Sequence, residues 1–387
     1  MQHYNFDNPP SRRGTKCYKW DCQPGELPMW IADMDFEVAP EIRSALQRRL
    51  DHGIYGYDSM GEDWYDAYLG WWRERHGLCM ERENLIFSTG VVASISSLVR
   101  KLTTPNEKVL IQTPVYNIFF NSIVNNGARV LESPLRYDGD NWSMDFTDLE
   151  QKLSDPQCTL MILCNPHNPV GRIWSRGELA QVGELCDKHH VTVISDEIHC
   201  DLTAPGQGYL PFAAVSEVCR RISITCIAPT KAFNLAGMHS SAVYAADPVL
   251  HHKAWRTLNT DEVAEPNTFA APAAIAAFTL GGNWLDQARD YIWENKKLVR
   301  DFAARELPGV KLRVSDATYL LWVDVSARTK NVQNFTERLR AETGLWVTPG
   351  TAYGAKGEGF FRMNVACPRA LVEDALERLK GFLTDVG

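Results

Sequence analysis

The chain has 387 residues, 45% hydrophobic and 23% charged, enough for two ordinary domains or one large one around a sizeable core. Its formal net charge of -8 offers no basic face to nucleic acid and disfavours an anionic membrane surface. No apolar run approaches the length of a membrane span, residues 1–7 lack the basic-then-apolar pattern of a signal peptide, and the ten scattered cysteines include no CxxC pair, so a cytoplasmic protein with reduced core thiols is expected.

In chain order, the first expected elements are a helix over 40–51, with Pro40 at its start, and an aromatic-rich helix over 62–76. The stripe Trp64, Tyr65, Tyr68, Trp71 and Trp72 on the second reads as packing rather than a binding surface. Apolar strand-like runs follow at 85–88, 108–112, 129–133, 159–164, 191–195, 222–227 and 241–245. Helical stretches near 92–102, 115–125, 176–189 and elsewhere separate them. This alternation predicts an α/β chain with a mostly parallel seven-stranded sheet flanked by helices. The link between the last two runs, 228–240, is too short for a full helical crossover, so that pair is expected to be antiparallel.

Beyond about residue 284 the pattern changes. A helix over 284–306, strands at 311–314 and 319–325, a helix over 332–343, a loop at 348–354, a strand at 360–365 and a helix over 368–383 suggest a smaller α+β domain. The expected division is 1–50 as an N-terminal segment packing with the small domain, 51–284 as the large domain and 285–387 as the small one.

Five segments at strand ends carry chemistry. Lys231, in Ala228-Pro229-Thr230-Lys231-Ala232-Phe233-Asn234, stands just past the run at 222–227, where ligands bind in open α/β sheets. Taken alone it is more often a solvated loop residue; desolvated, it is a Schiff-base nucleophile. Ser88-Thr89-Gly90-Val91-Val92 ends a strand and starts a helix, a natural anion site, although an ordinary helix start has the same form. Asn165-Pro166-His167-Asn168-Pro169-Val170-Gly171 is stiffened by two Asn-Pro steps, so Asn168 can present its amide to a ligand. Asp196, at the end of 191–195, is placed to hold a proton on a heteroaromatic nitrogen, with helix capping as the competing role. Arg362, among apolar neighbours, suits a carboxylate, with a structural salt bridge as its competitor. Cys200 beside His199 has no second ligand cluster at zinc spacing, so no metal is expected.

This ordered set resembles the fold type I pyridoxal phosphate enzymes of the class I/II aminotransferase superfamily. Met29-Trp30-Ile31-Ala32-Asp33-Met34-Asp35-Phe36, Tyr55-Gly56-Tyr57 and Asp196-Glu197-Ile198-His199 narrow the resemblance to the MalY/PatB subgroup of cystathionine β-lyases, or carbon–sulfur lyases. The resemblance covers nearly the whole chain. It implies the pyridoxal 5′-phosphate-dependent transferase fold and a Schiff base between Lys231 and the cofactor. Asp196 would hold the pyridine proton, Asn168 would bond the ring hydroxylate and Tyr116 would stack on the ring. The backbone of Gly90, Val91 and Val92 would hold the phosphate, with Thr230 and His199 also at the cofactor. Tyr57 would reach the phosphate in the partner subunit of a homodimer with active sites at the interface. Arg362 would grip the substrate α-carboxylate, with Asn168 and Asp33 beside it.

Three positions depart from the pattern. Thr230 replaces the usual Ser, His239 stands where many members carry a phosphate-binding Arg, and His199 where aminotransferases often place a Tyr. The implied reaction is α,β-elimination from L-cystathionine or a related L-cysteine S-conjugate, with Lys231 as the Cα base. The alternatives are an aminotransferase using the same residues, and a regulatory protein that binds a transcription factor, as some members of the subgroup do.

Overall fold

The computed structural model describes residues 3–385, so the outermost residues of the expected N-terminal and C-terminal segments, 1–2 and 386–387, lie outside the description. The seven expected strands form one sheet: β1 (Leu85–Ser88), β2 (Lys108–Ile111), β3 (Arg129–Glu132), β4 (Cys158–Cys164), β5 (Thr192–Asp196), β6 (Ser223–Ile227) and β7 (Ser241–Tyr244). Their order across the sheet is β1-β7-β6-β5-β4-β2-β3. All neighbours are parallel except β7, which runs antiparallel to both β1 and β6, as the short link predicts.

Burial on both faces explains why these strands read as continuous apolar runs. In β4, Leu160 and Ile162 pack on one face with Ile95, Leu98 and Ala254, whereas Met161 and Leu163 pack on the other with Leu179, Val182 and Cys186. The helices covering those faces include Val91–Leu102, Arg176–Lys188 and Pro248–Thr260. The Arg176 helix starts on a capping box, with Ser175 and Glu178 bonding reciprocally to each other's backbone. The aromatic helix Glu62–His76 buries Trp64, Tyr68, Trp71 and Trp72, so its stripe is indeed packing.

A second sheet, of β8 (Leu320–Asp324), β9 (Thr348–Pro349) and β10 (Phe360–Asn364), has the order β8-β10-β9, all antiparallel. The long helix Gly282–Glu306 and helices Val332–Thr343 and Arg369–Asp385 accompany it. From the N-terminal side, Leu27–Pro28 pairs in parallel with Leu345–Trp346.

Three expectations fail locally. Residues 311–314 do not form a strand; only Lys311 bridges, to Asp324, on the outer edge of β8, and β8 stays the edge strand of its sheet. The expected loop at 348–354 opens with β9 before a 3₁₀ turn over Gly350–Tyr353. The helix expected from 115 begins only at Ile118, and the Val115 N–H before it bonds to Tyr353 O at 3.0 Å.

Candidate active site

Strand register gathers the site. Cys164 of β4 aligns with Asp196 of β5, and Asp196 with Cys226 of β6. The loop through Asn168, the Asp196 carboxylate and the segment leading to Lys231 therefore emerge together at the carboxyl ends of the parallel strands. Ser88, which ends β1, aligns with Ser241, which starts β7, at the same end of the sheet. Tyr116 follows β2 from that end.

Lys231 is held by its neighbours. Phe233, fully buried, lies 5.7 Å from Trp71, 5.9 Å from Phe278 and 6.3 Å from Trp284, ring centre to ring centre. Asn234, in the left-handed region at φ 56°, accepts the Met34 N–H at 3.1 Å and donates to Phe36 O at 2.8 Å. The Lys231 ammonium donates to Ala32 O. Although Lys231 keeps some exposed surface, burial lowers its pKa to about 8, against the pull of Asp33 and with a push from Arg362. A neutral amine is thus accessible near neutral pH.

Asp196 is buried, and its only donor among the described residues is the Ile198 N–H, 3.1 Å from Oδ1. Burial raises its pKa to about 7, with the Ile198 N–H opposing. A cation brought to its second oxygen would draw it back to the ionised form. Its neighbour Glu197 is a closed structural unit: it accepts from Ser195 Oγ at 2.7 Å, Tyr209 OH at 2.7 Å and the Phe212 N–H at 2.8 Å.

Asn168 is buried, and its Oδ1 accepts from Arg362 Nη1 at 3.2 Å. The stiffness of its loop has a visible source. Gly171 sits at φ 68°, and a Cβ there would come within 2.4 Å of Ser315 Cβ, so only glycine fits. His167 is fully enclosed, and its Nε2–H donates to Pro114 O at 2.8 Å, tying the Asn168 loop to the Tyr116 loop. Burial lowers the His167 pKa to about 4 and raises that of Tyr116 to about 12.

Arg362, on β10, is buried. Its Nη2 donates to Trp30 O at 2.9 Å, its guanidinium lies 4.9 Å from the Tyr353 ring centre, and its Nε–H has no partner. Gly90 caps the helix Val91–Leu102, whose first-turn N–H groups have no intrahelical acceptors. Val92 is partly exposed there. Thr230 is buried, its carbonyl accepting the Leu235 N–H at 2.9 Å. His199 is buried, its Nδ1 unpartnered and its pKa lowered to about 3 by burial and by Lys231. Asp33 turns toward the N-terminal segment, with Oδ2 2.6 Å from Arg12 Nη2 and Oδ1 3.6 Å from Lys19 Nζ. Tyr57 is fully exposed, and His239 is exposed in the left-handed region at φ 49°.

The donor set fits pyridoxal 5′-phosphate. An amine that can be neutral, a buried carboxylate with a free oxygen and a helix N-terminus match its aldehyde, pyridine nitrogen and phosphate, and the unpartnered arginine N–H suits the carboxylate of an amino-acid substrate. Sequence reasoning missed Tyr319, whose OH donates to Ala32 O at 2.9 Å, and Asn364, whose Nδ2 donates to Ile31 O at 2.8 Å. Cys200 meets His76 and Asp201 rather than a His199 cluster. Asp201 Oδ1 there already accepts from Trp71 Nε1 at 2.9 Å and lies 2.9 Å from His76 Nε2, a closed packing unit.

Known proteins resemble this chain over nearly its full length. The chain is 43% identical to cystathionine beta-lyase PatB of Bacillus subtilis (strain 168) over 387 residues, covering 98% of this chain and 100% of that protein. It superposes with a TM-score of 0.97 on cystalysin from Treponema denticola, a structure that contains pyridoxal 5′-phosphate, at 30% identity and with 100% of both chains covered. The PLP-bound C-S lyase from Staphylococcus hominis superposes with a TM-score of 0.92 at 32% identity, covering 99% of each chain. The model of the family "Aminotransferase class I and II" matches residues 31–379, and the chain belongs to that family.

Proposed function

We propose that this protein is a pyridoxal 5′-phosphate-dependent carbon–sulfur β-lyase, which cleaves L-cystathionine or related L-cysteine S-conjugates to a thiol, pyruvate and ammonia. The observation that carries the reading is the convergence of Lys231, Asp196 and Asn168 at the carboxyl ends of the central strands, in a chain similar over nearly its full length to a cystathionine β-lyase. When bound, the cofactor supplies an electron sink for the pair left by removal of the Cα proton.

The chain's own residues do the rest. Lys231, with a pKa of about 8, would hold the cofactor, and its neutral amine would take the Cα proton. Asp196 would keep a proton on the pyridine nitrogen. Asn168 and Tyr116 would orient the ring, with Thr230 and His199 beside it. The N–H groups at Gly90, Val91 and Val92 would hold the phosphate. Arg362 grips the substrate α-carboxylate through its free Nε–H, with Asn168 and Asp33 nearby. The Cβ–S bond would then break, sulfur leaving with the bonding pair and taking up a proton to give the thiol, and water would hydrolyse the remaining enamine to pyruvate and ammonia.

The exposed Tyr57, flanked by exposed Ile54 and Tyr55, supports a homodimer in which it reaches the phosphate of the partner's cofactor. The division at about residues 50 and 284 is likewise a reading, supported by the change from the seven-stranded to the three-stranded sheet. No helix among the described residues is long and apolar enough to cross a membrane, in keeping with a cytoplasmic place.

A panel of cystathionine, cysteine, cystine and alanine tests the function. Pyruvate should be released from the sulfur amino acids with no keto-acid acceptor present. Amino transfer to a keto acid without pyruvate release would replace the lyase with an aminotransferase.

A further inference from the structure

Four consecutive carbonyls, at residues 30–33, are each taken by side chains from elsewhere. Trp30 O accepts from Arg362 Nη2 at 2.9 Å and from Thr348 Oγ1 at 2.9 Å. Ile31 O and Asp33 O accept from Asn364 Nδ2 at 2.8 and 2.6 Å. Ala32 O accepts from Lys231 Nζ, and from Tyr319 OH at 2.9 Å. This stretch is the template on which Arg362 is set, whereas Lys231 is also anchored through Phe233 and Asn234; yet the stretch belongs to no strand or helix. Something must hold it.

The anchor is a buried ionic knot from the N-terminal segment. Asp35 is 6% exposed and accepts from Lys19 Nζ at 2.6 Å, Arg12 Nη1 at 2.8 Å and Trp20 Nε1 at 2.8 Å. Lys19 is 1% exposed. Arg12 also spans Met34 O at 2.9 Å and Asp33 Oδ2 at 2.6 Å, so its planar fork fixes three consecutive residues directly after the Ala32 carbonyl. A side chain that served packing alone would not need this directional set. The knot acts on the same short stretch whose carbonyls meet Arg362.

We propose that Arg12, Lys19 and Trp20, acting through Asp33 and Asp35, are positioning residues that set where Arg362 presents its free N–H to the substrate α-carboxylate. This rests on the reading of Arg362 as the carboxylate-binding group.

The test uses the cofactor-loaded enzyme and Arg12→Gln. The KM for cystathionine should rise about tenfold, with kcat within about twofold, because a displaced guanidinium weakens substrate holding and leaves proton transfer intact. Arg12→Lys keeps the charge but loses the fork, and should recover part of the KM. Cysteamine, which lacks the α-carboxylate, should bind wild type and Arg12→Gln equally, as read by the change in visible absorbance of the bound cofactor. A folded Arg12→Gln with wild-type KM overturns the proposal. Equal weakening of cystathionine and cysteamine also overturns it, since the damage would then not act through Arg362. If Arg12→Gln fails to fold, Trp20→Phe removes one donor to Asp35 and should raise KM about threefold; an unchanged KM there counts against the proposal in the same way. Absence of pyruvate release from wild type is a different failure, that of the lyase reading itself.

Discussion

Two enclosed lysines of this chain differ in what surrounds them, and the difference separates a reactive amine from a structural one. Lys296, on the long helix beside the small sheet, is fully buried, and its pKa is lowered to about 7. Lys231 has a pKa of about 8, so depression of the pKa does not tell them apart. Lys296 Nζ donates to Ser315 Oγ at 2.9 Å and Ala317 O at 3.2 Å and lies 4.1 Å from the Trp293 ring centre. Its donors are spent and no path leads to it. Lys231 Nζ has one acceptor, Ala32 O, keeps some exposure, and stands among Asp196, Asn168 and the helix start at Gly90. Reactivity here is a property of the company and the access, not of burial.

The largest effect expected from this contrast is at Lys231. Lys231→Ala should remove pyruvate release by at least about 10³-fold and abolish the visible absorbance of the attached cofactor. Normal turnover in that variant would end the comparison at once.

Asp196→Asn comes next. A neutral amide cannot hold the pyridine proton, so kcat should fall about 10²-fold or more while the cofactor stays attached through Lys231. Steady-state kinetics beside an absorbance spectrum checks both halves. An Asn variant with wild-type kcat would mean that the buried carboxylate only caps the Ile198 N–H.

Acid stability sharpens the comparison from the loop side. His167 has a folded pKa of about 4 against an ordinary value of 6.5. Between those values the unfolded chain binds the proton that the folded chain refuses, so stability is full above pH 6.5 and falls as pH drops toward 4. The loss from this residue is roughly 3 kcal/mol by pH 4. Urea unfolding at pH 7, 5.5 and 4.5 should show the decline, and His167→Gln should flatten it. An equal slope in both proteins would assign acid sensitivity elsewhere.

Much of this was legible in the residues, for a physical reason. Strands buried on both faces are written as unbroken apolar runs, so all seven large-sheet strands and the antiparallel β7 could be read. Lys231, Asp196 and Asn168 each follow such a run. The stretch at 311–314 misled because its Lys-Leu-Arg-Val alternation cannot say how far a ladder extends, and only Lys311 meets the free edge of β8. The template at 30–33 was invisible as chemistry because its working groups are backbone carbonyls, which leave no residue-type signature. Tyr319 and Asn364 were missed with it, since their role is to meet those carbonyls. Gly171 reads as part of a motif, but its close approach to Ser315 joins residues far apart in the chain and has no local signal.

The smallest expected effect is the one that isolates burial from reactivity. Lys296→Met places an apolar chain of similar length in the same space. It gives up the bonds to Ser315 Oγ and Ala317 O but also relieves the cost of an enclosed amine, so stability at pH 7 should change by no more than about 1–2 kcal/mol. Turnover should stay within about twofold and the cofactor absorbance should be unchanged, because nothing in the site bonds to Lys296. The pH dependence carries the sign. With a folded pKa of about 7 against 10.5, the unfolded chain holds the extra proton between those values, so the wild type should gain stability relative to Lys296→Met as pH rises from 7 toward 10. A difference that shrinks over that range would place a charged, compensated ammonium in the core. Collapse of turnover without unfolding would make Lys296 part of the site, through the stretch 315–318, whose Ala317 N–H donates to Gly171 O at 2.9 Å in the Asn168 loop.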